Sequence, residues 1–271
     1  MPLFGLSESD VEKMEAKRDI KGLIKALTYK KDTDVRRAAA KALEKMGDKL
    51  AVDGLVVALK DPDATVRLQA VEALGEIGDA HATDGLLDVT LKDKELNVRQ
   101  KAKEVLLKIG DEHTVDKLVV ALKDQNSDVR IHAAQALYAI GDARATDALI
   151  VALKDPNEYV RLVVAGALGK IGGAHAIDGL IVALKDQDWS VRFAVVRDLG
   201  KIGGARAVDG LVVALKDQNF TVREAAAEAL GKIGGEHKLN GLKLRQTHYS
   251  LNKITEEASN LILEALKTIE T

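Results

Sequence analysis

The sequence contains no cysteine, which excludes a disulfide framework, a thiolate metal site and a cysteine nucleophile. It has only three prolines in 271 residues, so little interrupts helices. Its β-branched residues do not alternate with polar ones, which speaks against strands. No apolar run approaches the length of a bilayer span. The opening stretch MPLFGLSESD lacks both a basic and an apolar targeting segment, so no signal peptide is expected. A formal net charge of −2 supplies no bulk attraction for nucleic acid or an anionic membrane. These absences lead to the expectation of a soluble, cytoplasmic, helical protein.

What is present is a repeat. Seven Val-Arg pairs punctuate the chain, at Val35-Arg36, Val66-Arg67, Val98-Arg99, Val129-Arg130, Val160-Arg161, Val191-Arg192 and Val222-Arg223. Successive pairs lie 31 residues apart, except between Val66 and Val98, where the interval is 32. A glycine follows twelve residues after each Val, from Gly47 to Gly234. This fixed period argues for one continuous array and overrides the one or two globular domains that length alone suggests.

Each repeat reads as two antiparallel helices. The first is short, with an apolar stripe such as Val52, Leu55, Val56 and Leu59. Asp61-Pro62 and Asp155-Pro156 resemble an N-cap followed by proline at the first helical position, so the second helix is placed to begin there. That helix buries Val66, Ala70, Ala73, Leu74 and Ile77, and Gly78 ends it in the left-handed conformation. Asp48, Asp79, Asp111 and Asp142, each directly after such a glycine, are placed to cap the next helix; later repeats carry Gly173, Gly204 and Gly235 there. Mid-helix glycines at 75, 169, 200 and 231 point to close approach of the next repeat's backbone. No hairpin of this kind buries its own apolar faces alone, so neighbours must stack.

The run VRxxAxxALGxIGD with a preceding LKD resembles the HEAT-like repeats of the phycobilisome-lyase type, and is similar to consensus-designed HEAT-like arrays. The resemblance covers about residues 20–235 and implies an all-α, right-handed α-solenoid of HEAT-like hairpins, about seven 31-residue repeats between terminal caps. Residues 1–19 are read as the N-terminal cap, with Ser7 or Ser9 capping a charged helix and Leu3, Phe4 and Leu6 covering the core. Residues 236–271 are read as a divergent C-terminal capping unit with the stripe Ile254, Ala258, Leu261, Ile262, Ala265, Leu266, Ile269. Its segment 236–253 is basic, read as a capping loop or a polyanion contact. Members of this family serve as scaffolds, adaptors, bilin lyases and regulatory subunits, so the resemblance implies binding in general.

Two departures stand out. GLLDVTLKD in the third repeat carries one residue more than GLVVALKD, expected as a π-bulge or a change of curvature. Asp198 stands where the other repeats place Ala or Val on the core stripe. It is read either as an anchor for a cationic ligand or as the partner of a ladder arginine.

Turning 100° per residue from each Val, positions −2, +2, +6 and +10 face away from the core. This face is basic in the first repeat (Arg37, Lys41, Lys45), acidic in the second (Glu72, Glu76) and mixed in the third. It then turns apolar, with Ile131, Leu162 and Phe193 at +2 in three successive repeats, Tyr159 at −1, and Trp189 and Phe220 at −2. Arg197 and Lys201 continue the line of Trp189 and Phe193. Aromatics make up only 3% of the chain, so this concentration reads as a protein-binding hot spot edged with positive charge. The competing reading is that Trp189 and Tyr159 pack on an adjacent loop.

Arg67, Arg99, Arg130, Arg161, Arg192 and Arg223 each follow an Asp by six residues. As a row they suggest either phosphate binding or an Asp–Arg ladder that stitches repeats and satisfies loop carbonyls, and their presence in every repeat favours the ladder. His81, His113, His175 and His237 recur at one loop position, where neighbours a repeat apart cannot converge on one ion, so no metal site is expected. There is no His-Glu dipeptide of the kind that serves HEAT-repeat di-iron hydroxylases, no nucleophile–base arrangement and no phosphate loop, so no catalytic residue and no cofactor are assigned. The functional expectation is a non-catalytic scaffold that binds a protein or peptide on the face of its second helices, with nucleic acid and small molecules disfavoured and no membrane contact. A bilin-lyase-like enzyme or subunit and a HEAT-like nucleic-acid binder are the alternatives.

Overall fold

The computed structural model describes residues 5–110 and 112–240, and every regular element among them is helical. The Cα atoms group into two units, residues 1–136 and 137–271. In the first unit lie α1 (Glu8–Ala16), α2 (Ile20–Ala26), α3 (Thr33–Met46), α4 (Val52–Ala58), α5 (Ala64–Ile77), α6 (Thr83–Lys92), α7 (Leu96–Ile109) and α8 (Glu112–Ala121). The border falls inside α9 (Ser127–Ile140). The second unit continues with α10 (Thr146–Ala152), α11 (Glu158–Ile171), α12 (Gly173–Ala183), α13 (Trp189–Ile202), α14 (Gly204–Ala214) and α15 (Phe220–Asn240).

Each unit is a stack of helical hairpins, the α-solenoid class that the period implies. In the first, α2 pairs with α3, α4 with α5 and α6 with α7, and the long second helices pack as α3 on α5 and α5 on α7. In the second, α11 packs on α13 and α13 on α15. The stripe at +4, +7 and +8 is buried as expected, for example Ala70, Ala73 and Leu74, and position +5 joins it through Val71 and Val196. Ile77 at +11 is only half-buried.

Several starts and stops differ from expectation for local reasons. The second helix begins two residues later than Asp-Pro suggests: Asp63 caps α5 through Thr65 N–H at 2.8 Å, and Asn157 caps α11. Asp61 is occupied elsewhere, accepting from Asp63 N–H and from Arg36. Asp48, Asp79 and Asp142 do cap the start of the following hairpin, each accepting from the N–H two residues on. They open a 3₁₀ turn before α4, α6 and α10. Where Gly173 and Gly204 replace the Asp, the turn is absent and α12 and α14 begin at once. The bend there uses Gly172 at φ 66°, ψ −157° followed by Gly173 at φ 77°, a path open to glycine alone. Gly110 ends α7 in extended conformation instead of left-handed, and α15 runs on through Gly234 and Gly235 to Asn240.

The extra residue of the third repeat makes no π-bulge. It lengthens α6 to ten residues of regular helix, and Asp93 follows in extended conformation with its N–H on Val89 O. Gly75 and Gly169 are contacted by side chains, not backbone: a Cβ at Gly75 would lie 2.7 Å from Val105 Cγ2, and one at Gly169 would lie 2.6 Å from Asp198 Cβ. At Gly200 the Ala229 backbone does come close, its Cα 3.6 Å and its Cβ 2.7 Å from an added Cβ, whereas at Gly231 nothing described lies within 4 Å. At the N-terminus the Asp10 carboxylate accepts from Ser7 N–H and Oγ–H, closing the first turn of α1, and α1 packs on α2 and α3. The expected contribution of Leu3 and Phe4, and the C-terminal stripe from Ile254 to Ile269, lie outside the described residues.

Candidate partner-binding face

The frame under the candidate face is the arginine ladder. Arg161 donates from Nη1 to Asp155 O and Pro156 O in its own loop, and grips Asp186 of the next repeat with Nε at 2.7 Å and Nη2 at 2.9 Å. Arg192 repeats this with Asp186 O, Gln187 O and the carboxylate of Asp217. The own-repeat aspartate therefore gives its carbonyl and the next one its carboxylate. Both arginines are buried, and the hydrogen bonds each guanidinium donates to the carboxylate raise its pKa against the opposing effect of burial. Arg67 pairs with Asp93 in the first unit, and Arg36 pairs with Asp61 although no Asp lies six residues before it; Tyr29 O takes that place. Arg223 holds Asp217 O and Gln218 O. Arg130 also has an interaction. Arg99 departs from the expectation: it holds Asp93 O, but its Nε has no hydrogen-bond partner among the described residues.

On this frame the second unit presents aromatics at helix N-termini. Trp189 and Phe220 open α13 and α15, Tyr159 is the second residue of α11, and Tyr159, Trp189 and Phe220 are 60%, 47% and 45% exposed. Caps fix their backbones: Asn157 accepts from Tyr159 N–H, Asp188 from Ser190 N–H and Asn219 from Thr221 N–H. The Trp189 ring meets Phe193 edge-on, centroids 6.5 Å apart at 62°. The Arg223 guanidinium lies 5.8 Å from the Phe220 ring centre. A recess of about 350 Å³ opens beside Trp189, with Arg192 and Asn219 in its wall. Leu162 and Phe193 are half-buried, neither sealed in the core nor fully presented. Ile131, the first member of the apolar row, is half-buried in the first unit, apart from the unit that holds the others.

Asp198 lies behind this face and is 5% exposed. It pairs not with a ladder arginine but with its own helix: Oδ1 takes Lys201 Nζ at 2.9 Å and Arg197 Nε at 3.4 Å. Both cations stay more than half exposed, so they edge the face as positive charge while tethered at one oxygen. The other oxygen, Oδ2, is buried without a hydrogen-bond partner among the described residues.

Two exposed features escape the one-face reading. Tyr138 at +9 is 48% exposed, with Lys170 Nζ 5.4 Å over its ring. Val151, Val182 and Val213 form an exposed set on the first helices, at matching positions in α10, α12 and α14. The GLIVAL and GLVVAL segments contain one apolar residue more than the buried stripe uses, which is the signal that identifies them. Of the loop histidines, His81 contacts Asp79 and His175 contacts Asp147, both exposed, and the His237 side chain lies outside the described residues. Among the described residues no group of three His, Asp or Glu side chains gathers to hold a metal. No described helix is long and apolar enough to cross a membrane.

A family model for HEAT repeats matches residues 20–107, 83–152, 115–181, 146–231 and 177–259. The chain belongs to the HEAT repeat family. Among curated proteins, none matches this HEAT repeat chain. Solved structures resemble it in fold. A Kap121p variant is 16% identical with a TM-score of 0.63, covering 96% of this chain and 35% of its own. The Kap95:Nup1 complex is 16% identical with a TM-score of 0.60, covering 97% of this chain and 40% of that one. The complex of CpcE and CpcF of phycocyanin lyase from Nostoc is 21% identical with a TM-score of 0.39, covering 91% and 94%. For the Kap121p and Kap95 chains, at 16% identity, the likeness is one of fold.

Proposed function

We propose that this HEAT repeat chain is a non-catalytic interaction scaffold that binds a protein or peptide partner on the second helices of its second unit. Trp189 and Phe220 are the anchors, Tyr159, Leu162 and Phe193 extend the apolar surface, and Arg197 and Lys201 select acidic groups at its edge. The observation that carries the reading is the exposure of three large aromatics, 45–60%, on backbones held rigid by caps and by buried Arg–Asp pairs. Exposed rings on a pre-organised frame lose little freedom on binding, which is the property of a hot spot. The acidic edge preference follows from the tether: one carboxylate at Asp198 leaves two cations only partly neutralised. Packing against a loop, the competing reading of these rings, is opposed by the area each leaves open to water. Kap95 in its complex with Nup1 gives an example of this fold class engaged with a protein.

The test is comparative capture from the source cell with wild-type chain and with Trp189→Ala/Phe220→Ala, together with thermal unfolding of both. A protein retained by the wild type and lost by the variant, at unchanged melting temperature, is the expected outcome. Equal retention by both, or a collapse in melting temperature, assigns the rings to structure and removes the proposal.

A further inference from the structure

In the first unit the ladder contains an open rung. Arg36 and Arg67 each present the Nε–Nη2 edge of the guanidinium to a carboxylate, at 2.6 and 3.0 Å on Asp61 and 2.6 and 2.9 Å on Asp93. Arg99 is held the same way on its loop side, Nη1 donating to Asp93 O at 2.5 Å. Its Nε is buried and has no partner among the described residues. Asp124 occupies the matching position in sequence, yet it accepts from Asn126 N–H and makes no ion pair with Arg99 among the described residues. A buried guanidinium N–H left without an acceptor costs about 1–3 kcal/mol, so this edge is a receptor shaped by the fold for a flat oxyanion.

Arg99 lines a cleft of about 680 Å³ together with Lys94, Asp124, Asn126, Asp128 and His132. The His132 ring donates Nδ1–H to Leu91 O at 2.8 Å, which fixes its orientation. Two neighbouring charges are already used: Asp93 by Arg67 and Lys92 by Asp88. What remains is Arg99 and Lys94 beside Asp124 and Asp128, a wall of both signs. A bare anion would meet the two aspartates at a cost; a ligand with a carboxylate at one end and a cation at the other satisfies both sides. The volume lies in the range of small-molecule sites.

We propose that this cleft binds a small zwitterionic carboxylate of the amino-acid kind. Its carboxylate takes on Arg99 the position that Asp61 and Asp93 take on the preceding arginines, and its ammonium faces Asp124 and Asp128. This goes against the sequence-based expectation that small molecules are disfavoured, and it is independent of the aromatic face in the other unit.

The test is a titration of the full chain followed by the arginine Nε–H signals in nuclear magnetic resonance. The probes are glycine, 4-aminobutyrate, butyrate, butylamine and inorganic phosphate. Saturable movement of the Arg99 signal by one of the two amino acids, with weaker movement by butyrate and butylamine, is expected. Arg99→Lys keeps the charge but loses the planar edge, and should weaken the preferred amino acid at least about tenfold. Asp124→Asn should abolish the preference for it over butyrate while leaving Arg99 responsive. Three outcomes overturn the proposal: no probe moves the signal; phosphate moves it as strongly as the amino acids; or Asp124→Asn alone shifts it, showing that Asp124 closes the rung itself. The wild-type titration and the Asp124→Asn variant decide the matter even if Arg99→Lys does not fold.

Discussion

The guanidinium of Arg192 holds both oxygens of the Asp217 carboxylate, Nε at 2.7 Å and Nη2 at 2.9 Å, with each side chain less than a tenth exposed. One buried bidentate pair thus joins the loop of one hairpin to the loop of the next, and the arginine's remaining nitrogen ties down the loop it came from. Removing either partner strands a buried charge. Asp217→Ala is expected to lower unfolding free energy by about 3–5 kcal/mol, measured in urea, whereas Asp178→Ala, whose contact with Arg206 is exposed, should cost under about 1 kcal/mol.

The same pairs set the acid limit. Burial pushes the Asp217 carboxyl up, but the hydrogen bonds from Arg192 and Asn219 N–H and the charges of Arg192 and Arg223 outweigh it and hold the pKa below its usual range. Asp93 behaves alike beside Arg67 and Glu95 N–H. A lowered native pKa means the contribution is complete above the unfolded value of about 4 and is lost as pH falls through the native value. Stability should therefore stay level from neutral pH to about 5 on account of these groups, then fall steeply below about 4. Asp217→Asn should flatten that fall, and an equal slope in wild type and variant would contradict the assignment.

Close packing of second helices gives a sharper test at Gly75. Alanine there improves helix propensity by about 1 kcal/mol, yet its Cβ would lie 2.7 Å from Val105 Cγ2. Gly75→Ala is expected to destabilise by about 1–3 kcal/mol, because overpacking outweighs propensity. In a Val105→Ala background the added methyl loses its obstruction, so the double variant should be more stable than the sum of the singles. Strict additivity in a double-mutant cycle would show that the helices simply move apart.

Asp198 is expected to act in the opposite direction. Its Oδ2 is buried and unpaired, while Lys201 and Arg197 remain exposed and are not stranded by its loss. Asp198→Ala should raise stability by about 1–2 kcal/mol, as the other repeats already carry Ala or Val there. A fall of similar size would mean that the carboxylate organises the helix. If the aromatic face binds an acidic partner, the same variant frees both cations and tightens binding.

Most of the fold was legible because the constraints are periodic and local. The Val-Arg register, the Asp caps after glycine and the buried stripe at +4, +7 and +8 recur often enough to be read from one chain. The sequence does not fix the helix starts, because Asp61 has two possible uses, cap or ladder, and only the position of Arg36, 25 residues earlier, decides between them. Likewise, the glycine at 75 announces close approach, but that Val105 makes it depends on relative helix rotation, which the period does not set. At the candidate face, the offset from each Val marked Trp189 and Phe220 as outward. Tyr138 lies off that line, and the half-burial of Leu162 and Phe193 reflects neighbours that a helical wheel does not contain. The open rung at Arg99 has no signature of its own: its Asp124 stands 25 residues on, the spacing of the paired Arg36–Asp61, Arg161–Asp186 and Arg192–Asp217, and only contacts reveal the difference.

The most direct measurement uses the fact that Trp189 is the only tryptophan of the chain. With the captured partner, or a tryptophan-free fragment of it, added to saturation, Trp189, 47% exposed in the free chain, should become covered and its emission should shift to shorter wavelength. Emission that stays unchanged while the partner is bound would contradict the placement of the interaction on this face.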